Sequence, residues 1–167
     1  MYIPFETLPD HSRVWIYQSN RAFTSLEKEG LESGLKALCE QWFAHGTPLH
    51  TSYILAFDQF VIMAVDERQH GASGCSIDGS VRFLKELQSK AGLDFFDRSA
   101  VAFVVNGKIE VYPLTQLKTL FENQTLTAAS VTLNNLVGTK AEWISGWQIP
   151  VKNSWLAKYL PKTAVAG

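Results

Sequence analysis

The order of its apolar segments predicts that this chain folds as an α+β protein, with a mixed or antiparallel sheet of about five strands and helices mainly on one face. Three observations carry the expectation: short β-branched and aromatic runs bounded by turn residues, longer stretches whose apolar residues recur every three or four positions, and an Asn106-Gly107 pair between two short runs. Composition agrees, since 46% apolar and 19% charged residues, with 15 Lys and Arg against 16 Asp and Glu, lie far from the low-hydrophobicity, high-charge regime of disorder. With 167 residues and no linker, repeat or low-complexity run, 1–167 reads as a single domain able to bury a core without disulfide staples.

The elements follow in order. Val14, Trp15, Ile16 and Tyr17 come after the turn-forming Pro9, Asp10, His11 and Ser12 and read as a first strand. Thr24 and Glu27 have the spacing of a capping box, so a helix starts there, with Leu31, Leu35, Leu38, Cys39 and Trp42 on one face and His45-Gly46 as its stop. Gly30 and Gly34 each cost such a helix about 1 kcal/mol relative to Ala, which implies close packing or a mobile first half. Residues 52–65 are too long for one strand and read as two buried strands hinged at Asp58-Gln59. A polar, glycine-rich stretch over 68–76 leads into a second helix with Ile77, Val81, Leu84, Leu87 and Ala91 at helical spacing and Gly92 just past its end. Asn106-Gly107 between 100–105 and 108–112 signals a two-residue hairpin, because both turn positions tolerate positive φ. Thr115 caps a short helix carrying Leu117, Leu120 and Phe121, while 125–150 fits neither period. Ser154 starts a last helical turn or two through Trp155, Leu156, Tyr159 and Leu160, stopped by Pro161, and 163–167 frays. The resulting β-α-β-β-α-β order with appended elements matches the split βαβ arrangement of a ferredoxin-like core, a topology that hosts many unrelated functions.

Several function classes are disfavoured. Balanced charge removes the electrostatic case for a DNA partner. The longest apolar stretch, 53–65, is interrupted by Asp58-Gln59 and falls short of the roughly 20 residues that span a bilayer, so no membrane association is expected. Met1, Tyr2, Ile3, Pro4, Phe5 and Glu6 lack the basic and apolar regions of a secretory signal, which predicts a cytoplasmic protein, and Cys39 and Cys75 read as free thiols. Neither a Gly-x4-Gly-Lys-Ser/Thr loop nor any metal-ligand spacing occurs, so no cofactor or metal is expected. Charge is uneven along the chain, with 8 basic and 13 acidic residues through Asp97 and 7 basic and 3 acidic from Arg98 onward. The sequence sets no oligomeric state.

The densest chemistry lies where strand, loop and second helix meet. A helix N-terminus stabilises negative charge and depresses a thiol pKa, so Cys75 is the candidate nucleophile and His70 the candidate base, with His45 or His50 on the neighbouring turn as substitutes. Ser73, Gly74 and Ser76 with the helix backbone form a candidate anion cradle, Arg82 a counter-charge, and Asp66 and Asp78 orienting groups. The plainer reading is that Ser76 and Asp78 suit a helix start, Gly71 and Gly74 suit a turn, and Cys75 is a small buried side chain. Arg13 and Arg21 flank the first strand and could join the anion pocket, although solvated surface arginines are the commoner case. The expected function is binding of a small anionic molecule, or thiol-dependent chemistry, at this junction. The alternative is a non-catalytic module that holds a protein, or with less support RNA, through Trp143, Trp147, Trp155 and Lys158. The commoner role of such tryptophans is a hydrophobic lid over one end of the sheet, and that reading is the favoured one.

Taken together, Ser12-Arg-Val-Trp-Ile-Tyr-Gln-Ser-Asn-Arg21, Ala64-Val-Asp-Glu67, Ala72-Ser-Gly-Cys-Ser-Ile-Asp78, Leu93-Asp-Phe-Phe-Asp-Arg98, Asn134-Asn-Leu-Val137 and Asn153-Ser-Trp155 resemble a small family of uncharacterised bacterial proteins. The resemblance spans nearly the whole chain. Members of that family are sometimes labelled ABC-transporter ATPases, an activity that requires the phosphate-binding loop lacking here. The resemblance therefore implies no catalytic residues, and the candidate sites rest on physical reading alone.

Overall fold

A computed structural model describes residues 1–44, 46–68 and 74–162, excepting the side chains of residues 44 and 74–77. It is α+β, with antiparallel sheets of three and four strands, a two-stranded ribbon and four α-helices among the described residues. The chain divides into one unit of Met1–Phe96 with Leu136–Ile144 and another of Asp97–Asn135 with Ser145–Gly167.

In the first unit, β1 (Arg13–Gln18), α1 (Ser25–Glu40), β2 (Phe43–Ala44), β3 (Thr47–Pro48), β4 (Thr51–Ala56), β5 (Phe60–Val65) and α2 (Gly74–Ala91) follow in turn. The three-stranded sheet has the order β1-β5-β4 with both pairings antiparallel, so Arg13 and Thr51 both lie opposite Val65. All six β5 residues are buried, as their continuous apolar run requires of a central strand. The β4-β5 turn sits one residue before the expected hinge: Phe57 and Asp58 both have φ +52°, and the Gln59 N–H donates to the Ala56 carbonyl. Two positive φ values are what a primed hairpin turn needs. The segment after β1 clamps it, with the Phe23 N–H donating to the Asp58 carbonyl (2.6 Å) and Gln59 Nε2 to the Ser19 carbonyl (3.1 Å).

Helix α1 begins at the expected capping box, where Thr24 Oγ1 accepts from the Glu27 N–H and the Glu27 carboxylate accepts from the Thr24 N–H. Leu31, Leu35 and Cys39 are fully buried on its inner face. The helix stops at Glu40 rather than at the predicted His45-Gly46. The intervening residues instead form the β2-β3 ribbon around Gly46 at φ +77°, and Trp42, though outside the helix, stays 3% exposed. Gly34 explains its own helix penalty: a Cβ there would run into the Phe83 ring of α2, so the glycine permits a close helix crossing, whereas Gly30 faces open space. Helix α2 ends as expected at Gly92 (φ +69°), whose N–H donates to the Gln88 carbonyl; Ile77 of the predicted stripe lies outside the described side chains. Arg21 joins the two helices by a paired contact to the Glu27 carboxylate (2.8 Å twice) and a third bond to the Ala91 carbonyl (2.9 Å).

The expected ferredoxin-like core is not formed. Strands β1, β5 and β4 supply three of its strands, but the fourth, Ala100–Val105, pairs elsewhere, and the outer edge of β1 is taken by Leu136–Ile144. There the Val14 N–H donates to the Gly138 carbonyl (3.0 Å) and the Lys140 N–H to the Ser12 carbonyl (2.8 Å). Lys140 is 6% exposed, and its ammonium donates to the Glu6 and Leu8 carbonyls at 3.0 and 2.6 Å, which fixes the segment before β1.

In the second unit, β6 (Ala100–Val105), β7 (Lys108–Pro113), α3 (Leu117–Glu122) and β8 (Val131–Leu133) come first; α4 (Lys140–Gly146) bridges the unit boundary and β9 (Gln148–Pro150) follows. The sheet order is β7-β6-β8-β9, all antiparallel. Asn106 and Gly107 turn the β6-β7 hairpin with φ +52° and +77°. Phe103, Leu117, Phe121, Leu126, Val151 and Leu156 form its core. Thr115 does not cap α3: it lies in a 3₁₀ turn, Leu114–Gln116, that runs straight into the helix, and Gln116 at the cap makes no side-chain bond. Ser154 does cap, its hydroxyl accepting from the Leu156 N–H, but the turn it starts is 3₁₀ (Trp155–Tyr159). The tail 163–167 lies outside the described residues.

Two predictions follow from these helices. Gly30→Ala should raise stability by about 0.5–1 kcal/mol, while Gly34→Ala should lower it by about 1–3 kcal/mol through overpacking against Phe83. Urea unfolding of both variants, with Gly34→Ala/Phe83→Leu to recover part of the loss, checks the opposite signs. Arg21 and the Thr24 N–H hold the Glu27 carboxyl down from its ordinary 4.5 to about 2. A depressed folded pKa stabilises the fold fully above the unfolded value and ceases to do so as pH falls through the folded one. Glu27→Gln should therefore cost about 1 kcal/mol at pH 7, and thermal melts should show that deficit shrinking between about pH 4.5 and pH 2.

Candidate ligand-binding cleft

The register of the three-stranded sheet gathers polar residues at one end. β5 ends at Val65 opposite the first residues of β1 and β4, so Asp66 and Glu67 emerge beside the segments that lead into those strands, which carry His11 and His50. The Asp66 N–H donates to the His50 carbonyl (2.9 Å), extending the β4-β5 ladder one step past the sheet.

Asp66 is 7% exposed, and its carboxylate is satisfied locally. Its Oδ1 accepts from the Arg68 N–H at 3.1 Å, an Asx turn. The Arg68 guanidinium then closes on it side-on, Nε lying 3.1 and 2.9 Å from the two oxygens and Nη2 2.6 Å from Oδ2. His11 Nε2 approaches Oδ1 at 3.5 Å. Arg68 holds the Asp66 carboxyl below the usual carboxylate range against the opposing effect of burial. The Arg68 side chain itself remains 60% exposed. Its Nη1 group and the second Nη2 hydrogen take no partner among the described residues.

These groups border a cleft of about 320 Å³ lined by Pro48, Leu49, His50, Asp66 and Arg68. Leu49 is anchored by its N–H to the Trp42 carbonyl (3.0 Å), and the Trp42 ring stacks on Trp15 at 6.0 Å. Arg13 covers the Trp15 face at 4.7 Å and approaches the Glu67 carboxylate at 3.4 Å. The ribbon wall of the cleft is therefore tied to the sheet by a layered contact of guanidinium and two indoles.

The residues singled out from sequence are distributed unevenly. Asp66 and the substitute base His50 line the cleft. His70 and Ser73 lie outside the described residues, as do the side chains of Cys75 and Ser76, and Gly74 opens α2. Asp78 and Arg82 sit exposed on α2, one turn apart and outside the cleft lining, while Ser80 is buried and shares a hydrogen with the Tyr17 hydroxyl at 3.0 Å. Arg21 is committed to Glu27 and Ala91. Among the aromatic residues, Trp143 meets the Phe5 ring edge-on at 5.4 Å, and Trp147 is 4% exposed with its Nε1 donating to Asn135. Trp155 is 52% exposed, and the Lys158 ammonium lies 5.5 Å over its ring and 5.3 Å over that of Tyr159. His11 and Arg68 were not singled out from sequence; an aspartate two residues before an arginine, directly after a buried strand, is the local signal for the Asx turn that joins Asp66 to Arg68.

Among the described residues no three His, Cys, Asp or Glu side chains converge as a metal site needs, and no helix is long and apolar enough to cross a membrane. Cys39 is fully buried, and burial pushes its thiol up to about 11. Native Cys39 should therefore resist alkylation at pH 8. Mass spectrometry after brief iodoacetamide treatment should find it modified only once denaturant is added, and rapid native labelling of Cys39 in a Cys75→Ser variant would contradict its burial.

Compared with protein-family models, curated proteins and solved structures, the chain matches none of them.

Proposed function

We propose that this protein binds a small anionic molecule in the cleft at the end of the three-stranded sheet, with Arg68 as the receiving group. The observation that carries the reading is the asymmetry of the Asp66–Arg68 pair: the carboxylate is buried at 6% side-chain exposure, and the guanidinium it grips stands 60% exposed at the cleft. A surface arginine free on all sides loses much rotamer freedom when it binds a ligand. Arg68 has already lost it to Asp66, so the N–H edge that meets no partner among the described residues is pre-organised for an oxyanion. The arrangement is also local, because the Asx turn sets the spacing between the two side chains.

His50 also lines the cleft, and Pro48 supplies exposed apolar surface, a mixture typical of small-molecule sites. Thiol chemistry at Cys75 with His70 as base, the other part of the sequence expectation, involves positions that follow Arg68 in the chain, and the anion reading does not depend on it.

One guanidinium edge supports weak binding, of about millimolar dissociation constant. Titration of the protein with sodium acetate at constant ionic strength, followed by the NMR signals of the histidine rings, should give a saturable shift for His50. Arg68→Ala should remove that shift, and Asp66→Asn should weaken binding severalfold by releasing the guanidinium. A His50 shift that is linear in acetate, or unchanged in Arg68→Ala, would overturn the proposal.

A further inference from the structure

We infer that the molecule taken up in this cleft is a monocarboxylate with a short apolar body, an inference that rests on the anion-binding reading above. Three features of the cleft select that class.

The first is the shape of the donor. With Nε and one Nη2 hydrogen given to Asp66, Arg68 keeps an end-on edge that no described residue meets, two parallel N–H groups from Nη1 and Nη2. A planar carboxylate accepts such an edge with both oxygens at once. The second is charge. Arg68 and Asp66 cancel each other, and the other guanidinium at this sheet end, Arg13, is seated on Trp15 and faces Glu67. No Lys or Arg follows Arg68 before Arg82, which stands exposed on α2 outside the cleft lining. A dianionic phosphate presents more charge and more acceptor oxygens than one free guanidinium edge can meet, and the buried Asp66 carboxylate repels its second charge more than it repels a monoanion. The third is the wall. Exposed Pro48 lines the cleft next to Leu49, which is buried in the core, and about 320 Å³ exceeds what a carboxylate group alone fills, leaving room for several methylene groups against the proline.

The test is an isothermal titration series on the full chain with acetate, propionate, butyrate, hexanoate and inorganic phosphate, each at pH 7 and the same ionic strength. Affinity should rise about threefold to fourfold per methylene until the cleft is full, with phosphate the weakest ligand. Arg68→Lys keeps the positive charge but loses the two-pronged edge, and it should weaken every carboxylate by about tenfold. Because the Arg68 side chain is on the surface, the variant is expected to fold, which circular dichroism verifies, and Arg68→Gln gives a second, uncharged comparison. Phosphate binding more tightly than every carboxylate, with loss in Arg68→Gln, would overturn the carboxylate assignment while leaving the anion site standing. Carboxylate affinity that does not change with chain length would overturn the apolar body. Heats that do not saturate with any anion, or that are identical in Arg68→Gln, would overturn both this inference and the site itself.

Discussion

Strand β5 is buried at all six positions, and that burial governs the rest of the first unit. A buried backbone has no water to bond to, so both edges of the strand must be paired along their length, and β1 and β4 do this residue for residue. A slip of one residue in either ladder would turn every side chain of the slipped strand to the opposite face, so the register is strongly specified. One consequence is chemical. Fixing Arg13 and Thr51 opposite Val65 also fixes where His11, His50 and Asp66 emerge, and the cleft lies where a dry central strand first meets water.

The parts of this architecture that were legible in the sequence are those carried by local signals. The Thr24–Glu27 capping box, the Asn106-Gly107 turn and Gly92 at the end of α2 act within a few residues, and each appears where it was expected. The α1 stop falls short of the predicted His45-Gly46 because the positive φ of Gly46 serves a tight ribbon turn and not a helix end. Residues 125–150 resisted reading because β8 and β9 are three residues each, too short to show a period. Yet Thr139 and Glu142 repeat the spacing of the first capping box, and half of it forms: Thr139 Oγ1 accepts from the Glu142 N–H at 3.2 Å, while the Glu142 carboxylate accepts from the Gly138 N–H at 2.8 Å, one residue before the cap. That signal was present without the apolar stripe that drew attention to α1. The cleft was half legible, since Asp66 and His50 stood out as polar groups near a strand end, but the approach of His50 and of His11 to Asp66 depends on strand pairing between distant segments, which no local pattern encodes.

The topology departs from the predicted one for a similar reason. The element order through Ala100–Val105 is that of a split βαβ core, and β1-α1-β4 with β5 between them follows it. What element order does not reveal is who occupies the free edge of β1. Here a segment from much later in the chain takes it, held by backbone bonds at Ser12 and Val14 and by the Lys140 ammonium on two carbonyls. Lys140 answers the cost of burying a cation by facing the carbonyls of the 3₁₀ turn Phe5–Thr7 and the residue after it, together with the Phe5 ring at 5.4 Å. An edge so covered leaves Ala100–Val105 to build a second sheet with β7 and β8.

The same accounting bears on how the cleft can vary. A carboxylate at 6% exposure must be satisfied, and Arg68 meets most of that need through one side-on contact and one backbone N–H. Arg68 is thus bound twice over: by Asp66 for the sake of the fold, and through its remaining edge to whatever enters the cleft. Deleting it strands a buried charge as well as a binding group, and a loss of stability would accompany the loss of binding. Lysine can answer the charge but not the geometry, and so separates the two roles. The buried aspartate that ends the central strand and the arginine that faces the cleft are one unit, in which the requirement of the fold for a paired carboxylate sets the direction in which the site presents its cation.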